Sequence, residues 1–267
     1  MFGIRASRPE RVQARAGCPW SVWGVRSSSL ELDQFNVTRL RLGLRLILLY
    51  FLLVVMSDFF NPYEVVAQHG AHLPHWQQGE VFVFVTWRLA DSLPESQLAE
   101  WTREKEIWLK LHPQPWDQAT VETYRERFPE RMDHWLDQGQ GDCVLAQAPI
   151  RQIVVDALGF FEGTRYETAA FVVMPNHVHV LFRPLAGYRL SDILHSWKSY
   201  TGNKMNPSLK CDHALWSAGY WDRLIRDRAH FFRCVRYIEN NPIKAKLPNA
   251  RVSLSINQTL IENVSEL

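Results

Sequence analysis

The chain lacks any CxxC pair. Its four cysteines, Cys18, Cys143, Cys211 and Cys234, are scattered along 267 residues, a spacing that matches neither a structural zinc site nor a disulfide framework. A reducing, cytoplasmic compartment is therefore expected. Internal repeats and low-complexity tracts are also missing, which removes solenoids and disordered arrays from consideration. The unbroken apolar run Leu46–Met56 is too short to span a bilayer comfortably. No small-residue cleavage site follows Val55, so a secretory signal is not expected either. Met56 opens Met-Ser-Asp-Phe-Phe-Asn-Pro and reads as a natural start. Residues 1–55 are accordingly expected to be a non-native upstream extension, with a membrane anchor as the alternative.

What is present is a chain with 46% apolar residues, enough to bury a real core. Net charge is only +2, but it is unevenly spread. Asp91 to Asp142 holds 12 acidic and 6 basic residues, whereas Leu190 to Arg251 holds 5 acidic and 11 basic. The C-terminal third is where a phosphate backbone would dock.

Apolar periodicity predicts a first strand from Val81, then helical segments from Pro94 interrupted at His112-Pro113-Gln114-Pro115, which form an acidic insertion over about 94–141. A helix from about Cys143 to Phe161 follows. Tyr166–Val173 and 177–183 read as a hairpin turned by Pro175-Asn176. Next come a helix capped by Ser191, a strand within Leu215–Ile225, and a helix from His230 that stops at Pro242. Without the insertion, the order is β-α-β-β-α-β-α. The expected fold class is α+β, a ferredoxin-like antiparallel sheet with one extra C-terminal helix, spanning 56–250 and followed by a tail, 251–267.

Chemistry is concentrated in Met174-Pro175-Asn176-His177-Val178-His179-Val180-Leu181-Phe182. Alternation puts His177 and His179 on one face of the strand and Val178, Val180 and Phe182 toward a core. Two imidazoles on a rigid strand can ligate a divalent metal, although the same pattern also arises as the polar half of an ordinary strand. The last helix carries Tyr237 and Asn241, four residues apart and so on one helical face. An amide oxygen there can serve as a metal ligand while the phenol faces the same ion. Tyr200 and Tyr220 are rival nucleophiles, but the residues four positions on are Lys204 and Leu224. The histidines at 69, 72 and 75 lie in a Gly- and Pro-containing stretch and are read as a loop.

These blocks together resemble the single-tyrosine HUH transposases, and most closely the REP-associated tyrosine transposases of bacteria. The resemblance covers roughly residues 73–247. It runs through Leu73-Pro74-His75-Trp76, Thr86-Trp87-Arg88-Leu89-Ala90-Asp91-Ser92-Leu93-Pro94, the His177–His179 block, Ser196-Trp197-Lys198-Ser199-Tyr200-Thr201, Tyr220-Trp221-Asp222-Arg223 and Tyr237-Ile238-Glu239-Asn240-Asn241-Pro242. It implies that His177 and His179 are metal ligands, Asn241 the third, and the ion Mg²⁺ or Mn²⁺. It implies that Tyr237 cuts one DNA strand, keeping a 5′-phosphotyrosine link and releasing a 3′-OH. Related insertion-sequence transposases usually carry Gln where this chain has Asn241. The implied substrate is a hairpin-forming palindrome in single-stranded DNA, bound by a nucleoid-associated monomer or homodimer. Interleaved rings and cations at Trp197, Lys198, Tyr200, Trp216, Trp221, Arg223 and Arg226 suit a single-stranded backbone and its bases. The alternative is a catalytically idle hairpin-binding protein of the same fold, and a further one is a phosphodiesterase that activates water instead of a tyrosine.

Overall fold

A computed structural model describes residues 58–69, 75–113, 116–209 and 214–266. The Leu46–Met56 run and the rest of 1–55 lie outside these residues. Among the described residues no helix is long and apolar enough to cross a membrane.

A short ribbon, β1 (Ala67–His69) with β2 (His75–Gln77), comes first. It pairs His69 with His75 along the backbone, where the sequence suggested only a loop. The central sheet begins with β3 (Val83–Arg88), continues through β4 (Tyr166–Val173), β5 (His177–Pro184) and β6 (Trp221–Leu224), and ends with β7 (Ser253–Ile256). Its order is β6-β3-β5-β4-β7 and every pairing is antiparallel. The first four strands in sequence give the ferredoxin-like plan. The fifth strand was not expected. Residues 251–267, read as a tail, instead supply β7 against β4 and a closing helix, α7 (Gln258–Glu266).

Alternation along β3 and β5 divides the core in two. Val83, Val85, Trp87, Val178, Val180 and Phe182 pack against α4 (Ala148–Gly159) and α5 (Leu190–Leu209). Phe82, Phe84, Val172 and Leu181 face α6 (Arg228–Lys244) and α7 on the other side. A sheet covered on both faces leaves no wet half, so both histidines of β5 are buried.

Two helix boundaries differ from the sequence reading. Helix α5 begins at Leu190, which puts Ser191 inside the first turn instead of at the cap. Helix α6 starts two residues earlier than expected, on an Asp227 cap that accepts from the His230 amide at 2.6 Å, and runs through Pro242 to Lys244. Proline so near a helix end removes one backbone donor and leaves the last turn closed by Ala245 N–H to the Asn241 carbonyl.

The acidic insertion forms α1 (Glu95–Leu111), α2 (Gln118–Arg125) and α3 (Arg131–Asp137), with a wide π turn at Glu126–Glu130 around Pro129. It has its own small core of Leu93, Trp101, Trp108, Phe128, Met132 and Leu136, against which Trp221 of β6 also packs. Its return to the domain is tight. Gly141 has φ +82°, and a Cβ there would fall 2.6 Å from the Asp91 carbonyl oxygen.

Candidate active site

Register places the site. Pairing of β3 with β5 sets Thr86 opposite His179 and Arg88 opposite His177, so one face of two rigid strands carries these four polar groups. Thr86 is the uncharged polar residue on an otherwise apolar alternation. Its Oγ1 meets His179 Nδ1 at 2.7 Å.

His177 is oriented by the residue before it. Asn176 Nδ2 donates to the carbonyls of Leu136 and Gln140, each at 3.2 Å, which fixes the amide so that Oδ1 faces His177 Nδ1 at 2.7 Å. An acceptor at that distance requires Nδ1 to carry the proton. The lone pair therefore sits on Nε2, the tautomer a metal ligand needs. That Nε2 is buried and has no hydrogen-bond partner.

Helix α6 crosses this face and brings its own pair. The Tyr237 ring meets His179 edge-on at 5.2 Å between centroids and Phe84 at 5.7 Å. One turn on, Asn241 is 1% exposed, its Nδ2 3.4 Å from His179 Nε2 and its Oδ1 without a partner. The two imidazoles lie 4.7 Å apart between centroids. Among the described residues no group of three His, Cys, Asp or Glu side chains could hold a metal, so any third protein ligand beside the histidines must be of another type. The orphaned His177 Nε2 and Asn241 Oδ1, with His179 Nε2 held by one long contact, fit a divalent ion. Buried polar atoms without partners are costly, and ligation would satisfy them.

Electrostatics are those of a dry site. Burial pushes His177 down to about 3. His179 is held well below its ordinary value by burial, then by His177, Arg223 and Lys244. Both are neutral and ready to ligate. Burial raises the Tyr237 phenol well above its ordinary value, and the Asp133 and Asp137 carboxylates raise it further. Asp133, from α3 of the insertion, faces the hydroxyl without a hydrogen bond of regular geometry, and burial raises its own carboxyl to about 6.

Neutral buried histidines also make the fold acid-labile. His230, at the start of α6, is pushed to about 4 by burial and by Arg223, Arg226 and Arg233. Below pH 6.5 the unfolded chain takes up protons that His177, His179 and His230 refuse in the folded state. Stability should be insensitive to these groups above that pH and fall as pH drops toward 4, by up to about 1.4 kcal/mol per unit for a fully buried histidine. Urea titrations across this range should show it, and His230→Gln should flatten the slope.

The other proposed residues divide. Trp197 is core: it stacks on Trp87 at 5.7 Å and donates to the Tyr166 hydroxyl at 2.9 Å, on the far side of the sheet from the histidines, so its ring is closed to DNA. Trp216 is likewise buried and donates to Thr201 Oγ1. Lys198 donates to the carbonyls of Ser217, Ala218 and Gly219 and fastens that loop. Tyr200 is 53% exposed on α5, and Tyr220 packs with the α4–α5 core. Of the three candidate tyrosines, Tyr237 is the one whose ring meets a candidate metal ligand. Arg223 and Arg226 are exposed, and with Trp221 they border a cavity beside the site. Thr86, Asn176 and Asp133 were missed from sequence. From sequence, Pro175-Asn176 signals only a turn.

Residues 158–241 match the family described as IS200-like transposases. That segment holds His177, His179, Tyr237 and Asn241 together. The insertion and β3 lie outside the matched residues. A comparison with curated proteins finds no match. Among solved structures, a REP-associated tyrosine transposase bound to a REP hairpin is 16% identical, with 71% of this chain and 74% of that one covered and a TM-score of 0.33. A candidate transposase of Deinococcus radiodurans is 14% identical over 70% of this chain and 98% of that one, with a TM-score of 0.27.

Proposed function

We propose that the chain is an IS200-like transposase, a metal-dependent single-strand DNA nuclease and strand transferase that works through a 5′-phosphotyrosine on Tyr237. The observation that carries the reading is the packing of Tyr237 on His179, with Asn241 one helical turn away. The substrate class is hairpin-forming palindromic DNA presented as a single strand. His177, His179 and Asn241 would hold Mg²⁺ or Mn²⁺. When bound, such an ion supplies positive charge beside the phosphoryl oxygens and the phenolate.

The protein's own groups account for the rest. Phe84 and His179 clamp the Tyr237 ring, so the hydroxyl approaches the phosphate from a fixed direction. The phenol oxygen attacks phosphorus, an O–P bond forms, and the bond to the 3′ oxygen breaks. The phenol proton passes to Asp133, and the departing 3′ oxygen takes a proton from water to leave as a hydroxyl. Asp133 must be ionised to accept, so cleavage should fall as pH drops through about 6. Asp133→Asn should lower the rate about 10²-fold or more and remove that limb from the pH profile, measured by single-turnover cleavage. A variant that keeps the limb would assign it elsewhere.

The deciding experiment incubates the protein with 5′- and 3′-labelled hairpin oligonucleotides and Mn²⁺ and maps any covalent adduct by mass spectrometry. An adduct on Tyr237 that holds the DNA 5′ end supports the reading. Hydrolysis with no adduct points to activated water, and hairpin binding without cleavage points to an idle binding protein.

A further inference from the structure

A cavity of about 270 Å³ opens between β6 and the insertion, and two of its lining residues, Phe84 and Asp133, also neighbour Tyr237. Its inner end is Phe84, Thr86 and Asp133, the same Phe84 that clamps the Tyr237 ring and the same Thr86 that holds His179. Whatever fills it therefore sits next to the reacting phosphate. We propose that this cavity holds one unpaired nucleobase of the DNA strand, stacked against the aromatic walls Trp101, Tyr124 and Trp221, with the adjoining phosphates on Arg223 and Arg226. The proposal rests on the reading of the site as one that takes single-stranded DNA.

Shape, chemistry and charge each favour that occupant. The volume is at the small end for ligand sites, which suits one flat base and not a run of them. Trp101 and Trp221 pack on each other edge to face, 6.4 Å between centroids at 77°, and form one continuous aromatic side of the cavity. Lys105 lies 5.0 Å from the Trp101 ring centroid and keeps that wall electropositive. Trp221 also buries an indole N–H that has no acceptor, which a base nitrogen or carbonyl would satisfy. Four cations line the cavity, Lys105, Arg125, Arg223 and Arg226, against the two acids Asp133 and Asp222. Arg125 is engaged by Glu130 at 3.0 Å, whereas Arg223 and Arg226 are exposed at the mouth. An apolar peptide would have no use for that mouth, and a base held in a duplex could not present its face to these rings. Two of the three walls, Trp101 and Tyr124, come from the insertion, which lies outside the 158–241 match. The insertion thereby acquires a role in substrate selection in addition to its proximity to Tyr237.

The test uses the full chain and a short single-stranded oligodeoxynucleotide carrying one 5-iododeoxyuridine, irradiated and mapped by peptide mass spectrometry. Crosslinks are expected on Trp101, Tyr124 or Trp221 and should be absent with the same sequence as a duplex. Tyr124→Leu and Trp101→Leu should each weaken single-strand binding at least about fivefold, the lower end for loss of one stacked ring. Circular dichroism checks the fold of each variant, and the wild-type crosslink map stands if Trp101→Leu fails to fold. Crosslinks confined to residues away from the cavity, equal crosslinking of duplex, or undiminished binding by a folded Tyr124→Leu would overturn the proposal. Because the readout is binding, it separates from the cleavage reading. Cavity crosslinks without any Tyr237 adduct would uphold this site and sink the nuclease, and an adduct with crosslinks elsewhere would do the reverse.

Discussion

Tyr237→Phe should abolish covalent capture of DNA while leaving the protein folded and able to bind. The substitution removes one oxygen and keeps the ring that packs on Phe84 and His179. That hydroxyl is buried and makes no hydrogen bond of regular geometry, only facing the Asp133 carboxyl, so its loss should cost little stability. Cleavage, in contrast, loses its nucleophile. A fall of at least about 10³-fold is expected, since removing an attacking side chain leaves only what binding and charge stabilisation supply. Single-turnover assays on a labelled hairpin, with denaturing gels for the adduct, make the comparison. An adduct that persists in the Phe variant, or maps to Tyr200 or Tyr220, would defeat the assignment. Tyr200 and Tyr220 lie with the helix layer on the opposite face of the sheet, so such a result would require a different site altogether.

Chelation and removal of either histidine should have the next largest effect. EDTA should stop cleavage, and added Mn²⁺ or Mg²⁺ should restore it. A readout independent of activity follows from linkage, because an ion that binds only the folded protein raises its stability by about 2.7 kcal/mol at a hundred times its Kd. Mn²⁺ should therefore raise the melting temperature of the wild type. His177→Ala should lose that increase along with cleavage. Its own stability cost should lie at the low end of about 1–3 kcal/mol, since one buried acceptor, Asn176 Oδ1, loses its donor while the histidine's Nε2 is already unpartnered. His179→Ala should also lose both but destabilise the fold more, by about 1–3 kcal/mol, because it strands the buried Thr86 hydroxyl and the Asn241 amide. A melting temperature indifferent to Mn²⁺, or full cleavage in EDTA, would remove the metal from the site.

Much of this was legible in the residues. Period-two alternation from Val81 and across His177–Phe182 gave the strands and the shared face of the two histidines, because side-chain direction along a strand depends only on sequence parity. The four-residue spacing of Tyr237 and Asn241 gave their shared helical face for the same kind of local reason. Local pattern misled where tertiary packing decided. Trp197 sits in a basic, aromatic stretch that suggests DNA, yet the sheet buries it against Trp87 and Tyr166. Residues past 251 have no strong strand pattern, and they form β7 because β4 has an open edge to pair with.

By itself the sequence determined the order of strands and helices along the chain, the position of the insertion, and the faces that His177 shares with His179 and Tyr237 with Asn241, all set by periodicity and short-range spacing. Only the tertiary structure decided which tyrosine meets a histidine, which tautomer His177 holds through Asn176, that Thr86 braces His179, and that the insertion brings Asp133 to Tyr237 and supplies two walls of a cavity. Each of these depends on groups far apart in the chain, such as Thr86 and His179 or Asp133 and Tyr237. Their approach is fixed by strand register and by the packing of α6 and α3, and neither leaves a local mark in the sequence.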